Sequence, residues 1–287
     1  MIQNVYNFWN TRPCNIRHSD KDIDSLEFFD EVAKKRYNAE PHILNFLNLS
    51  NVKGKRILEL GSGIGTDAIQ FAKHGAHMVC VDLTPNSIER CKKNFDTHNL
   101  TGEFYVCNIE ELDKTLPETL LDSFDIVYSF GVIHHTPNPE KVIPHIKKFL
   151  KSDGEFRFMV YSKFSYKLFW LMHINSQWTF DNADTLIQTY SEAQTGCPVT
   201  YTYTFDNIKE LLSNNFKINS IWKDHIFKYD IESYKQNIFK NDIPFENVSE
   251  KYFNELKSEL GWHTLCIANP SAALPLLDEP LEKANPL

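Results

Sequence analysis

Three glycines, Gly61, Gly63 and Gly65, follow the apolar run RILEL directly, and an acid, Asp82, closes a second apolar run, HMVCVD. Glycine lets a chain bend sharply and lets backbone N–H groups come close to a ligand. A carboxylate at the neighbouring strand tip accepts hydrogen bonds from the two hydroxyls of a ribose. The chemistry this spacing offers is the holding of a nucleoside. It does not offer a P-loop, because no G-K-[ST] follows the glycines. Nor is it the dinucleotide fingerprint G-x-G-x-x-G/A, since Thr66 stands at the last position, which disfavours a pyrophosphate-bearing cofactor. Farther along, FDIVYSFGVIHHTP ends in His134 and His135. Imidazole titrates near neutral pH, so either is a candidate general base.

These residues need elements to place them. From Lys55 the chain alternates strand-like and helix-like patterns: RILEL, then GTDAIQFAKHG, HMVCVDL, TPNSIERCKKNFDTHN, GEFYVCNIEEL, FDIVYSFGVIHH, NPEKVIPHIKKFLKSDG and GEFRFMVYSK. Thr84 is suited to cap a helix with Pro85 at its first position, and Gly75 to end the preceding one. The rhythm predicts an α/β fold with a seven-stranded, mostly parallel sheet and helices on both faces. The expected divisions are a helical arm or lid over 1–50, a cofactor-binding core over 51–162 and a cap over 163–204. A return to the core sheet over 205–270 carries an insertion at 228–258, and 271–287 form a loosely held tail.

In order and spacing, ILELGSGIGTDAIQFA, VDLTP and FDIVYSFGVIHHTPNPEKVIPHIKKFLKSDGEFRFMVY resemble the successive motifs of class I S-adenosylmethionine-dependent methyltransferases. The resemblance is dense over residues 55–160 and looser over 205–269. It implies a Rossmann-like fold with S-adenosylmethionine as cofactor and S-adenosylhomocysteine (SAH) as its product. It also implies roles: Glu59 and the backbone of Gly61 and Gly63 face the methionine part, Asp82 the ribose, Leu83, Asn108 and Ile109 the adenine, and Phe130 the sulfonium. Many relatives carry aspartate where this chain has Asn108. The opening WNTRPCNIRHS, with YSEAQTGCPVTYTYT and LGWH, resembles a group of bacterial methyltransferases.

Ligands of open α/β sheets bind beyond the carboxyl ends of the strands, which places the acceptor near His134, His135 and Tyr161. The N-terminal run supplies Arg12, Cys14, Arg17 and His18, expected to fold over the cleft. Tyr190, Glu192 and Tyr201 are expected on a loop walling the acceptor. An aromatic wall favours a sulfonium and excludes water. The expected reaction is in-line methyl transfer to a small acceptor through sulfur, nitrogen or oxygen, a small thiol or sulfide included. The alternatives are a non-catalytic cofactor-binding sensor and an NAD-dependent oxidoreductase.

The net charge of −8 argues against non-specific nucleic-acid binding. The six cysteines form no C-x-x-C pair, and Cys14, His18, His134 and His135 lack the short spacing of a zinc site, so no metal is expected. MIQNVYNFWN is not a signal peptide and no apolar run spans a membrane, so a cytoplasmic location is expected. The chain is a monomer or a homodimer.

Overall fold

A computed structural model describes residues 1–194 and 196–271, with the side chains of 191–194 excepted. The core of the fold is a mixed sheet of β1 (Arg56–Leu60), β2 (His77–Asp82), β3 (Gly102–Val106), β4 (Phe124–Phe130), β5 (Leu150–Tyr161), β6 (Phe216–Asp224) and β7 (His263–Pro270). The strand order is β3-β2-β1-β4-β5-β7-β6. The first five strands are parallel, and β7 runs antiparallel between β5 and β6.

Alternation along each strand feeds two separate cores, which is why the central strands read as unbroken apolar runs. Ile57, Met78, Cys80, Ile126 and Tyr128 face one side. There they meet α3 (His42–Leu47), α4 (Thr66–Lys73) and α5 (Pro85–Thr97) through Phe46, Phe71 and Phe95. Leu58, Leu60, Val79, Val127 and Phe158 face the other side. They meet α6 (Leu112–Thr115), α7 (Pro139–Phe149) and α10 (Phe205–Leu212) through Leu112, Ile146 and Ile208. Thr84 caps α5 by accepting from the Ser87 N–H, with Pro85 in the first turn as expected.

The N-terminal 50 residues form α1 (Ile2–Thr11) and α2 (Leu26–Ala39) ahead of α3. On α2, Phe28, Phe29 and Val32 pack on Ile64 of the glycine turn. Over the other end of the sheet, α8 (Tyr166–Ile174) and α9 (Ala183–Gln194) bury Leu168, Leu171, Leu186 and Ile187 against Trp262. The region around Tyr190, expected to be irregular, is thus the C-terminal half of a helix. Its apolar residues Leu186, Ile187 and Tyr190 share one helical face, a pattern too short to stand out beside the irregular segment that follows. The 228–258 insertion holds α11 (Ile231–Lys235) and most of α12 (Glu250–Leu260). The expected tail lies, except for Ser271, outside the described residues. Among the described residues no helix is long and apolar enough to cross a membrane.

Phe158 is fully buried where β5 meets one core. Replacing it with alanine should lower unfolding stability by about 3–5 kcal/mol in urea denaturation; a loss below about 1 kcal/mol would contradict its place in close packing.

Candidate active site

At the carboxyl edge of the parallel strands lies a cavity of about 290 Å³. The turn after β1 forms its floor and is pinned to the tip of β2. Gly61 and Ser62 donate N–H bonds to the Val81 carbonyl at 2.8 and 3.0 Å, and Gly63 donates to Asp82 Oδ2 at 3.0 Å. Gly61, at φ +71°, has no room for a side chain, since a Cβ would come within 2.3 Å of Val132 Cγ2. Gly63, at φ +54°, is the opposite case. A Cβ there would meet nothing within 4 Å, because it would project into open space. Gly65 caps α4 from beneath, facing Cys91 rather than the cavity.

Asp82 is held from both sides. Its Oδ1 accepts from the Thr84 N–H at 2.9 Å and the Thr84 hydroxyl at 3.0 Å, while Oδ2 accepts from the Gly63 N–H, and the Ser87 side chain also acts on the carboxylate. A carboxylate oxygen has two acceptor positions, so Oδ2 keeps one for a ligand hydroxyl. Burial pushes the Asp82 carboxyl up from its ordinary value, against the pull of these hydrogen bonds. Leu83, Cys107, Asn108 and Ile109 line the same end, and the Asn108 side chain caps the turn that follows by accepting from the Glu110 N–H at 3.1 Å.

Glu59 is buried, and its Oε2 has no hydrogen-bond partner. Burial first, then the nearby Asp67, holds its carboxyl well above the usual glutamate range. Asp67 itself is fully engaged, accepting from Arg36 Nη2 at 3.0 Å, Tyr37 OH at 2.9 Å and Tyr128 OH at 3.0 Å. Arg36 also lies over the Phe130 ring at 5.3 Å. Glu59, Arg36 and Phe130 all face the cavity. A buried acid without a partner, a side-chain-free floor and a carboxylate with a vacant acceptor position fit a ligand that carries an ammonium at one end and a ribose at the other.

The candidate bases part company. His135 lines the cavity, and its Nδ1 lies 2.8 Å from the Val199 carbonyl. A carbonyl only accepts, so Nδ1 carries the proton and Nε2 is the basic nitrogen. His134 is fully buried outside the cavity, its ring 3.9 Å from the Tyr161 ring and tilted to it by 36°, with neither ring nitrogen hydrogen-bonded among the described residues. Burial, and secondarily His135, drives its pKa far down, so it stays neutral. Tyr161 does line the cavity.

Of the expected acceptor residues on the N-terminal run and the 190–201 segment, among those described, the structure brings Cys14 alone to the wall, with Asn15 beside it. Ile2, Val5 and Trp9 come too, one face of α1. Arg12 does not line the cavity, Arg17 points to solvent, and His18 packs toward Tyr234 with its pKa lowered to about 4, chiefly by burial. Tyr190 donates to Asn175 Oδ1 inside the cap, and Tyr201 is exposed over Pro137. The Glu192 side chain lies outside the described residues. The reason is common to all of these: which way a polar loop residue points is decided by packing partners distant in sequence. Sequence reasoning missed Arg36, Glu40, Asp67 and His263, all of which face the cavity. Asp67 carried a faint signal, as an acid in the first turn of the helix that follows the glycines.

A family profile described as "Methyltransferase domain" matches residues 51–215. The chain belongs to that family. Among curated relatives it is similar to a ubiquinone biosynthesis O-methyltransferase of Actinobacillus pleuropneumoniae serotype 7 (strain AP76), 26% identical over 145 residues. That match covers 46% of this chain and 62% of the relative, so the chain spans less than two thirds of that protein's length. The namesake enzyme of Coxiella burnetii (strain Dugway 5J108-111) is 25% identical over 176 residues, 57% of this chain and 73% of that protein. In fold, the chain is similar to magnesium protoporphyrin IX methyltransferase from Synechocystis PCC 6803 with bound SAH, at a TM-score of 0.58 and 13% identity over 94% of this chain and 100% of that one. A putative S-adenosylmethionine-dependent methyltransferase from Listeria monocytogenes gives 0.53 and 20%, covering 83% and 100%.

Two variants test the site. In Gly63→Val the added Cβ meets nothing within 4 Å, so its main cost should be the left-handed backbone penalty of about 1–2 kcal/mol, while SAH binding by calorimetry should be lost. Intact binding would contradict the floor. Glu59 takes up a proton more readily folded than unfolded. Its burial therefore costs stability progressively as pH rises above the ordinary glutamate value of 4.5. Glu59→Gln should flatten that decline and raise the neutral-pH melting temperature while weakening SAH. A lower melting temperature at neutral pH would contradict the assignment.

Proposed function

We propose that this protein is an S-adenosylmethionine-dependent methyltransferase acting on a small-molecule acceptor. The observation that carries the reading is the juxtaposition in one cavity of the Gly63 floor, the vacant acceptor position on Asp82 Oδ2 and the unpartnered Glu59 Oε2. Family membership supports the same chemistry.

Asp82 would hold the ribose and Glu59 the ammonium, with the buried guanidinium of Arg36 beside the carboxylate. Leu83, Asn108 and Ile109 would enclose the adenine. Bound there, S-adenosylmethionine supplies an electrophilic methyl on a sulfonium whose sulfur leaves neutral, so the protein needs no acid for the leaving group. Phe130 and Tyr161 line that space with aromatic carbon. Trp9 and Val5 shield that space from water, which strengthens electrostatics inside it. What remains for the chain is to position the acceptor and, for an amine or hydroxyl, to take its proton. His135 Nε2 is the base within the cavity wall; His134 is not placed to do this. A thiol acceptor already ionised needs only positioning. The cavity of about 290 Å³ and the acidic net charge favour a small molecule over a nucleic acid.

Thermal unfolding with ligands tests the class. SAH at about 100 times its Kd should stabilise the protein by about 2.7 kcal/mol, and NAD should not. Stabilisation by NAD alone would favour an oxidoreductase. Labelled S-adenosylmethionine with a panel of thiols, amines and phenols then separates enzyme from sensor. SAH binding without transfer to any of them would favour a sensor. Asp82→Asn should cost about 1.5–3 kcal/mol in SAH binding, at least about tenfold; an unchanged Kd would contradict the ribose assignment.

A further inference from the structure

Three ionisable side chains meet at the far end of the cavity from Asp82. His263 opens β7, which runs antiparallel to β5, and so it sits at the carboxyl edge of the parallel strands. His225 directly follows β6, whose last residue pairs with His263. Glu40 ends α2. His225 Nε2 lies 3.7 Å and His263 Nε2 3.8 Å from Glu40 Oε1, and one ligand atom from each of the three lies within 4.8 Å of the others. Glu40 and His263 face the cavity, along with Phe130, Met159 and Tyr161.

We propose that Glu40, His225 and His263 bind one divalent transition-metal ion, zinc in character, with an open coordination position facing the cavity. Donors about 2.0–2.2 Å from a zinc ion at tetrahedral angles stand about 3.3–3.6 Å apart, so the two measured separations need only a small contraction. The two histidines are buried, and Glu40 is partly exposed toward the cavity. Two imidazoles and one carboxylate with a fourth position left over is the ligand set of a catalytic rather than a structural zinc site.

A fourth residue gives this arrangement its second layer. His42 Nε2 lies 2.9 Å from His263 Nδ1, and both rings are buried. If His263 binds metal through Nε2, its Nδ1 carries the proton and donates to His42. That is the usual outer hydrogen bond fixing a metal-binding imidazole's tautomer and ring orientation. His42 is stacked on His225 at 5.2 Å, so it restrains both rings. The nearby positive charge of Arg36 is met by Asp67 at 3.0 Å.

An ion here would take the heteroatom of the methyl acceptor as its fourth ligand, a thiol or hydroxyl that loses its proton to solvent on binding. That role rests on the methyl-transfer reading, whereas the metal site does not, so the two can fail separately.

The full-length protein, dialysed against a chelator, should be titrated with zinc by calorimetry and with cobalt(II) by visible absorption. One ion per chain should bind at micromolar concentrations, and the cobalt spectrum should lack a thiolate charge-transfer band. Glu40→Gln, a conservative change at a partly exposed side chain, should weaken binding at least about tenfold, and His42→Phe by about 10–100-fold as a positioning residue. His225→Ala with His263→Ala should abolish binding, circular dichroism and SAH titration reporting that the fold survives. Absence of binding in the unaltered protein, a thiolate band, or undiminished affinity in Glu40→Gln would overturn the proposal.

Discussion

The constraint on which the rest depends is the fastening of the turn after β1 to the tip of β2. Three N–H groups in succession, from Gly61, Ser62 and Gly63, reach Val81 and Asp82. Only a chain free of Cβ at Gly61 can lie this close to Val132, and the Asp82 carboxylate receives the third bond. The turn therefore fixes the cavity floor and the orientation of that carboxylate together. Everything else at the carboxyl edge is arranged around that fixed corner.

Opposite the corner, the protein stores unfavourable electrostatics. Glu59 is buried without a partner, next to an Asp67 that three donors already satisfy. The network explains why α2 crosses the glycine turn: Arg36 and Tyr37 bring the neutralising groups, and Phe28, Phe29 and Val32 seat the helix on Ile64. A site prepared for a cation, and costly until one arrives, is the usual compromise between stability and binding.

The strands β1 to β5, helices α4, α5 and α7 and their order were legible because each is written locally, in apolar runs bounded by Gly75, Thr84, Pro85 and Pro139. The Asp82 end of the cavity was legible for the same reason, since Gly63, Asp82, Leu83 and Asn108 lie at strand ends whose direction the alternation sets. The opposite end was not. Arg36 and Glu40, a helical turn apart at the end of α2, meet His225 and His263 from two distant parts of the chain, and no sequence spacing links the three parts. His134 and His135 are neighbours in sequence yet differ in fate, because one ring packs against Tyr161 and the other reaches the Val199 carbonyl. Adjacent residues at a strand end cannot be told apart until the cap that covers them is in place.

The account stands most directly on where an adenosyl ligand lies. A crystal structure of the protein grown with SAH should show the ribose hydroxyls on Asp82, the adenine between Leu83 and Ile109, and the amino-acid end against Glu59. Density for SAH elsewhere, or a cavity filled by the protein's own side chains in its presence, would contradict it.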